Sequence, residues 1–430
     1  VTGLRGGLWN LALRTGDEVP NWSEISNVVS ATVVDTLPPT RVADLETTAV
    51  TASSVTLEWT APFDASELRR AVLYQMRYAL DEITGESWDA AVAVEGLPEP
   101  GPARSREAMT VTGLDTGTTL HFALRSVDWA SNVSSLSNVV SAGTQRLQQL
   151  TSDAHSLGGA HCPDWSPDGT QIVYATDWDP TSFYDQIYII PAQGGTRIRI
   201  TDGEGGGTQP RWSPDGTKIV FVSYREVDPA TWQELSVVEP RAGAEPEIIA
   251  SHGNQRVRYP TWSPTGDRIA YVVQETEIGE PPIYSMFTMQ YPGGEPSQIY
   301  RTTAYLGGLS WSPDGSRIAF HVRDPSDYKD DLWIIPADGG FASRLTTDPG
   351  NEGSPDWSPD GNRIAYSADY TGAREIWTMD EDGQDRHQVT YEGGAGHGAS
   401  DPAWSPNQRA IAFTLSDGGL FYDVWVLYLD

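Results

Sequence analysis

The chain has 430 residues, with 59 acidic against 28 basic side chains, a formal charge of −31, one cysteine, 42 glycines and 30 prolines. That balance lacks the basic footprint that nucleic acid or an anionic membrane surface requires, and no run approaches the roughly 18 apolar residues of a membrane helix. A single cysteine excludes an internal disulfide framework and a multi-cysteine zinc site, while abundant Gly, Pro, Trp, Tyr, Thr and Val point to an all-β protein.

In chain order, residues 1–33 already foreshadow a later stretch. Val1-Thr-Gly-Leu4 matches Val111-Thr-Gly-Leu114, and Ser26-Asn-Val-Val-Ser-Ala31 matches Ser137-Asn-Val-Val-Ser-Ala142. Residues 38–144 open on Pro38-Pro39, and β alternation predicts strands at Ser54-Val-Thr-Leu-Glu-Trp59 and Leu73-Tyr-Gln-Met-Arg-Tyr78. Strands at turn-punctuated spacing within about a hundred residues, with a tryptophan suited to burial and no cysteine pair, predict a β-sandwich. The segment resembles a fibronectin type III domain, with one departure: Leu120 stands where that family places its corner tyrosine. Residues 1–33 then read as the C-terminal strands of an upstream domain of the same kind. Half a sandwich cannot bury its own face. The sequence is therefore expected to be a fragment of a longer chain, the alternative being a partner that supplies the missing strands.

From residue 145 onward the chain is repetitive. Trp-Ser-Pro begins at Trp165, Trp212, Trp262, Trp311, Trp357 and Trp404, at intervals of 47, 50, 49, 46 and 47 residues. Each copy predicts a short strand ending in Trp-Ser, then a turn of the Pro167-Asp168-Gly169 kind, in which proline presets φ, Asp bonds its own backbone and Gly accepts a positive φ. A second strand follows (Ile172-Val-Tyr, Ile318-Ala-Phe), then a third (Gln186-Ile-Tyr-Ile-Ile, Asp331-Leu-Trp-Ile-Ile), a glycine turn, and a fourth, clearest at Ser343-Arg-Leu-Thr. Four short antiparallel strands at this period describe β-propeller blades, and six copies predict six of them. The chain stops after the third strand of the last copy, whereas Arg146-Leu-Gln-Gln-Leu-Thr151 has the fourth-strand pattern. Residues 145–151 are thus expected to close the last blade of a propeller spanning 145–430, sealing an open sheet edge.

The run Pro163-Asp-Trp-Ser-Pro-Asp-Gly-Thr-Gln-Ile-Val-Tyr resembles the WD40-like PD40 repeat of TolB-type propellers. Copies three and six depart from it at Pro264-Thr265-Gly266 and Pro406-Asn407-Gln408. The resemblance implies a bacterial, extracytoplasmic protein (secreted, on the cell surface or in the periplasm). Families with this repeat include protein-binding periplasmic subunits, propellers fused to peptidases, and a lyase of oligogalacturonates.

Chemistry is sparse. There is no Gly-x-Ser-x-Gly elbow, His-Glu-x-x-His, Walker loop or dinucleotide fingerprint. The alternating carboxylates of Asp380-Glu-Asp-Gly-Gln-Asp385 suit calcium or another divalent cation, but the same slot elsewhere is a tight Pro-Ala-Asp-Gly-Gly turn, so no cofactor or metal site is expected. Residues just ahead of each blade's first tryptophan face the mouth of the central channel. His161, Gln209, Arg258, Tyr259, Ser354 and Asp401 are accordingly the candidate binding residues there. The aromatic loop carrying Trp178, Phe183 and Tyr184 is a second candidate surface. No catalytic residue is named. The reading is a non-catalytic extracytoplasmic binding or scaffold protein with a protein or glycan partner, and neither nucleic-acid binding nor membrane insertion. The alternatives are a polysaccharide-active enzyme or its carbohydrate-binding arm with a cation in the channel, and a structural subunit of an extracellular filament or large complex. The charge divides as −9 for residues 1–144 and −22 for 145–430, which suits a solvated acidic surface on both parts.

Overall fold

The computed structural model describes residues 7–15, 23–33, 35–63, 71–152, 159–177, 184–201, 206–227, 230–277, 279–391, 397–418 and 421–429. The chain divides into two compact units, Val1–Gln145 and Arg146–Asp430. Both are built from antiparallel strands, and a single 3-10 turn at Trp88–Ala90 is the only helix among the described residues. Among the described residues no helix is long and apolar enough to cross a membrane.

In the first unit, strands Glu46–Val50, Ser54–Thr60 and Arg106–Thr112 form one sheet, and Val92–Ala93, Leu73–Ala79, Thr119–Val127 and Val140–Gly143 form another. Alternation decides which side chains go inside: Val55, Leu57 and Trp59 are buried, while their neighbours along the strand are half-buried. The two sheets share one core, in which the Trp59 and Tyr74 rings meet edge to face at 5.3 Å. Leu120 is part of that core, so the position that would carry a corner hydroxyl contributes apolar burial instead.

The paired strands Gly7–Leu11 and Val29–Val33 copy the end of this unit in register as well as in sequence. Leu8 pairs with Thr32 as Thr119 pairs with Gly143. Two side-chain bonds recur at the same spacing. The N–H groups of Leu13 and Thr15 donate to Ser26 Oγ and Ser23 Oγ, as those of Leu124 and Ser126 donate to Ser137 Oγ and Ser134 Oγ. Serine hydroxyls here take bonds that a backbone ladder would otherwise supply.

The second unit consists of propeller-like repeats of four-stranded sheets, six of them among the described residues. The first is Ala160–Trp165, Gln171–Thr176, Gln186–Pro191 and Ile198–Arg199 in sequence order. The last combines His397–Trp404, Ala410–Asp417 and Tyr422–Tyr428 with Arg146–Gln149, which pairs with Tyr422–Tyr428. The turn chemistry repeats closely. Ser166 Oγ donates to Asp168 Oδ1 at 2.7 Å and accepts the Gln171 N–H at 2.9 Å, while Gly169 sits at φ +71°. Where the sequence departs from Pro-Asp-Gly, the serine still finds an acceptor, from a residue further on or from an asparagine in the aspartate's own place. In the third copy Ser263 Oγ donates to Asp267 Oδ1, and in the sixth Ser405 Oγ donates to Asn407 Oδ1, with Gln408 in the glycine's place at φ +61°.

A second recurring device ties fourth strands to third strands. Thr201, Thr346, Thr390 and Thr151 each accept, on Oγ1, an N–H near the start of a third strand, those of Ile187, Leu332, Ile376 and Val424, at 2.8–2.9 Å. Thr201 and Thr151 also donate to that strand's first polar side chain, Gln186 and Asp423 respectively. The bond from Thr151 to Asp423, 272 residues apart, fastens Arg146–Gln149 into the last sheet. The first and last sheets also touch each other: Trp165 Nε1 donates to the Ala403 carbonyl at 3.1 Å, and Gly169 lies against Pro406.

Candidate functional site

The first strand of every sheet in the second unit carries the same irregularity. Its pairing with the second strand skips two residues, between His161 and Asp164, Thr208 and Arg211, Arg258 and Thr261, Gly307 and Ser310, Gly353 and Asp356, and Ser400 and Ala403. The first skipped residue has a left-handed backbone: Cys162, Gln209, Tyr259, Gly308, Ser354 and Asp401 lie at φ between +49° and +59°. The second is proline in five of the six strands. Proline has no N–H to lose, so it suits a place that the ladder leaves unpaired. Bulges re-aim the chain, and these bring all six left-handed residues, with Arg211, to one cavity of about 30 Å³. That is room for about one water molecule.

A larger cavity of about 180 Å³ adjoins it through Arg211, lined by Asp164, Thr261, Ser310, Asp356 and four of the Trp-Ser-Pro tryptophans, Trp212, Trp262, Trp311 and Trp357. Three of these side chains bridge neighbouring sheets. Asp164 accepts the Trp212 N–H at 2.7 Å, Asp356 accepts the Trp404 N–H at 2.8 Å, and Ser310 accepts the Trp357 N–H at 3.1 Å. Burial pushes the Asp164 carboxyl up to about 7 against the pull of Arg211, and burial also raises Asp356. Burial opposes the charge on Arg211, but Asp164 and Asp356 outweigh it and hold the guanidinium protonated. The result is a cation between two carboxyl groups, in a setting that water only partly screens.

Gln209, Tyr259, Ser354 and Asp401 meet in the smaller cavity. Gln209 Oε1 accepts the Tyr259 N–H at 2.8 Å, Ser354 donates to Asp401 Oδ1 at 2.9 Å, and the Tyr259 hydroxyl is bonded to that of Tyr305. His161 and Arg258 each stand one residue before the left-handed position, so the residue matching Gln209 in the first strand is Cys162. His321 approaches the same region from a second strand. Burial lowers its pKa to about 4, and the neutral ring accepts the Ser354 N–H on Nδ1. In the aromatic loop, Tyr184 stacks on Tyr224 at 4.9 Å, whereas Trp178 and Phe183 lie outside the described residues. The carboxylates at 380–385 are engaged in their own turn: Asp380 accepts the Gln384 N–H, and Asp385 pairs with Arg363 and His387. Among the described residues no three His, Cys, Asp or Glu side chains converge as a metal-sized cluster.

Sequence reasoning passed over Cys162, Asp164, Asp185, Arg211 and Asp356. Counting two residues on from each left-handed position finds Asp164, Arg211 and Asp356. Asp185 reaches His161 from the lead-in to a third strand, and no local spacing announces it.

Residues 139–237 and 234–427 match the family model for the TolB beta propeller domain. A Tol-Pal system protein TolB from Anaeromyxobacter dehalogenans is 34% identical over 119 residues, 28% of this chain and 25% of the relative. Chitinase A1 from Niallia circulans is 29% identical over 150 residues, 34% of this chain and 18% of that enzyme. The chain thus spans a quarter or less of the length of these two relatives. Among solved structures, a TolB-like protein from Agrobacterium tumefaciens superimposes with a TM-score of 0.50 at 17% identity, covering 67% of this chain and 100% of that one. That likeness is one of fold.

Proposed function

We propose a function from one premise: this chain belongs to the TolB β-propeller domain family. It is an extracytoplasmic, non-catalytic binding and scaffold protein whose propeller takes a protein partner. The observation that carries this reading is the family match, continuous over residues 139–427; curated TolB relatives named for the Tol-Pal system support it. The six four-stranded sheets make the blades of one closed ring. Support comes from the contacts of Trp165 with Ala403 and of Gly169 with Pro406, and from a last sheet that borrows Arg146–Gln149. Residues 38–144 serve as a fibronectin type III-like spacer, and residues 1–33 as the final strands of a second one, in keeping with their shared register. The binding surface is the channel mouth around Gln209, Tyr259, Ser354 and Asp401.

The test is affinity capture with the full chain from an envelope fraction of the source organism, followed by Tyr259→Ala and Asp401→Ala. The expected outcome is a partner that both substitutions weaken at least about tenfold, roughly the loss of one good interface anchor. Failure to retain any protein overturns the reading. A second reading, a carbohydrate-binding arm of a polysaccharide-active protein with a divalent cation, is favoured by the 150-residue likeness to a chitinase. A glycan array with metal analysis of the same sample decides between the two.

A further inference from the structure

Cys162 is the only cysteine of the chain, and it is half-buried at a left-handed position of the channel wall. His161 Nδ1 lies 3.4 Å from its Sγ, and His161 Nε2 lies 3.2 Å from Asp185 Oδ2. The imidazole spends one nitrogen on each neighbour, so thiol, base and carboxylate form a linear relay. A nucleophile with a base in reach, and a third group that orients the base, is the arrangement by which proteins activate a thiol.

Two observations set this apart from a packed thiol. The five equivalent residue pairs are Thr208-Gln209, Arg258-Tyr259, Gly307-Gly308, Gly353-Ser354 and Ser400-Asp401, so the bulge requires neither sulfur nor imidazole. Cys162 also lines the cavity, while its backbone N–H is tied back to Thr414 Oγ1 at 3.3 Å. Burial opposes a charge on His161, but the Cys162 sulfur and the bond to Asp185 outweigh it, holding the imidazole well above its ordinary range. The other ionisable groups around the thiol are Arg211 and Asp401 on the cavity wall, with Tyr224 and Tyr259 close by.

We propose that Cys162 is a reactive thiol, with His161 as its base and Asp185 as a positioning residue, that exchanges with low-molecular-weight disulfides and carries a reversible mixed disulfide. The Cys162 proton passes to Nδ1 of His161, and the thiolate attacks one sulfur of the disulfide RSSR. The Cys162–SR bond forms as the old S–S bond breaks, and the electron pair leaves on RS⁻. That thiolate takes the proton from His161 and departs as RSH. The disulfide is the oxidant: one of its sulfurs ends as a free thiol while Cys162 becomes half of a new disulfide. Because the chain holds no second cysteine to resolve it, the adduct persists until an external thiol reverses the exchange.

The test uses the reduced full chain with two neutral probes, iodoacetamide and bis(2-hydroxyethyl) disulfide, followed by mass spectrometry from mildly acidic to alkaline pH. The folded chain is expected to react at least about tenfold faster near neutral pH than the same chain unfolded in guanidinium chloride, because the thiolate is the reacting form. His161→Gln removes that excess and returns the pH profile to that of an ordinary thiol. Asp185→Asn lowers the rate partway and shifts the profile in the same direction, an effect that a purely structural role would not produce. A folded chain no faster than the unfolded one, or a rate and profile unchanged in His161→Gln, overturns the proposal. Should His161→Gln fail to fold, the profiles of the unmodified chain and of Asp185→Asn decide on the same criteria.

Discussion

At the scale of single residues, the second unit holds buried carboxyl groups that resist ionising. Asp164 is pushed by burial to about 7, from an ordinary 3.8. Below the ordinary value the group is protonated whether the chain is folded or not. Between the two values the unfolded chain releases the proton while the folded chain keeps it, so stability falls as pH rises and levels off above the folded value. Glu352, fully buried and raised to about 7 chiefly by burial, acts with the same sign. We expect the urea midpoint to drop between about pH 5 and pH 7.5, and Asp164→Asn, which keeps an oxygen for the Trp212 N–H, to flatten part of that slope. An undiminished slope in the variant would exclude Asp164 as the titrating group. Four of the six left-handed positions, Gln209, Tyr259, Ser354 and Asp401, were named from the sequence, because Trp-Ser-Pro sets the phase of every repeat, but their backbone conformation was not legible there. His161 was found but its neighbour Cys162 was not: a lone cysteine carries no signal until a folded chain brings Asp185, 23 residues further on, against the adjoining histidine.

At the scale of elements, the turn after each first strand works through one bond, from a serine hydroxyl to an acceptor that the sequence can supply from more than one place. This explains how the third copy manages with Asp267 and the sixth with Asn407. The sixth copy alone holds a non-glycine residue at the turn's left-handed position, Gln408 at φ +61°. A side chain there costs about 1 kcal/mol relative to glycine. Gln408→Gly should therefore stabilise the second unit by up to about 1 kcal/mol in chemical denaturation, while Gly361→Gln, at φ +75° in the fifth copy, should destabilise it by a similar amount. Equal midpoints would show that the turn absorbs the strain. First strands could be read from the Trp-Ser-Pro that ends them, and second and third strands from their apolar β-branched and aromatic runs. Three of the fourth strands, Ile198–Arg199, Ser343–Arg344 and His387–Gln388, are two residues long and too short to carry a period; the one at Ser343 was found from its place after a glycine turn. The two-residue skip in each first strand was hidden for a related reason: it interrupts alternation where the strand has only six to eight residues to display it.

At the scale of the whole molecule, each unit has its own buried core. Residues 146–430 expressed alone should unfold in a single cooperative transition. Beginning instead at Ser152 removes the partner of Tyr422–Tyr428 and bares a sheet edge. The shorter chain is expected to melt several degrees lower and to self-associate, as sedimentation would reveal; equal melting temperatures would mean that the closing strand contributes little. The repeat number and the order of strands were legible because they rest on spacing. The cavity chemistry was not, because it depends on side chains that different sheets deliver to one place. The bond from Thr151 to Asp423 also fixes an order of events. Arg146–Gln149 leaves the ribosome long before the strand it must pair with has been translated, so the last sheet can be assembled only after Tyr422–Tyr428 has emerged. Until then the nascent protein carries a waiting strand, and closure of this sheet is timed by the translation of a segment more than 270 residues downstream.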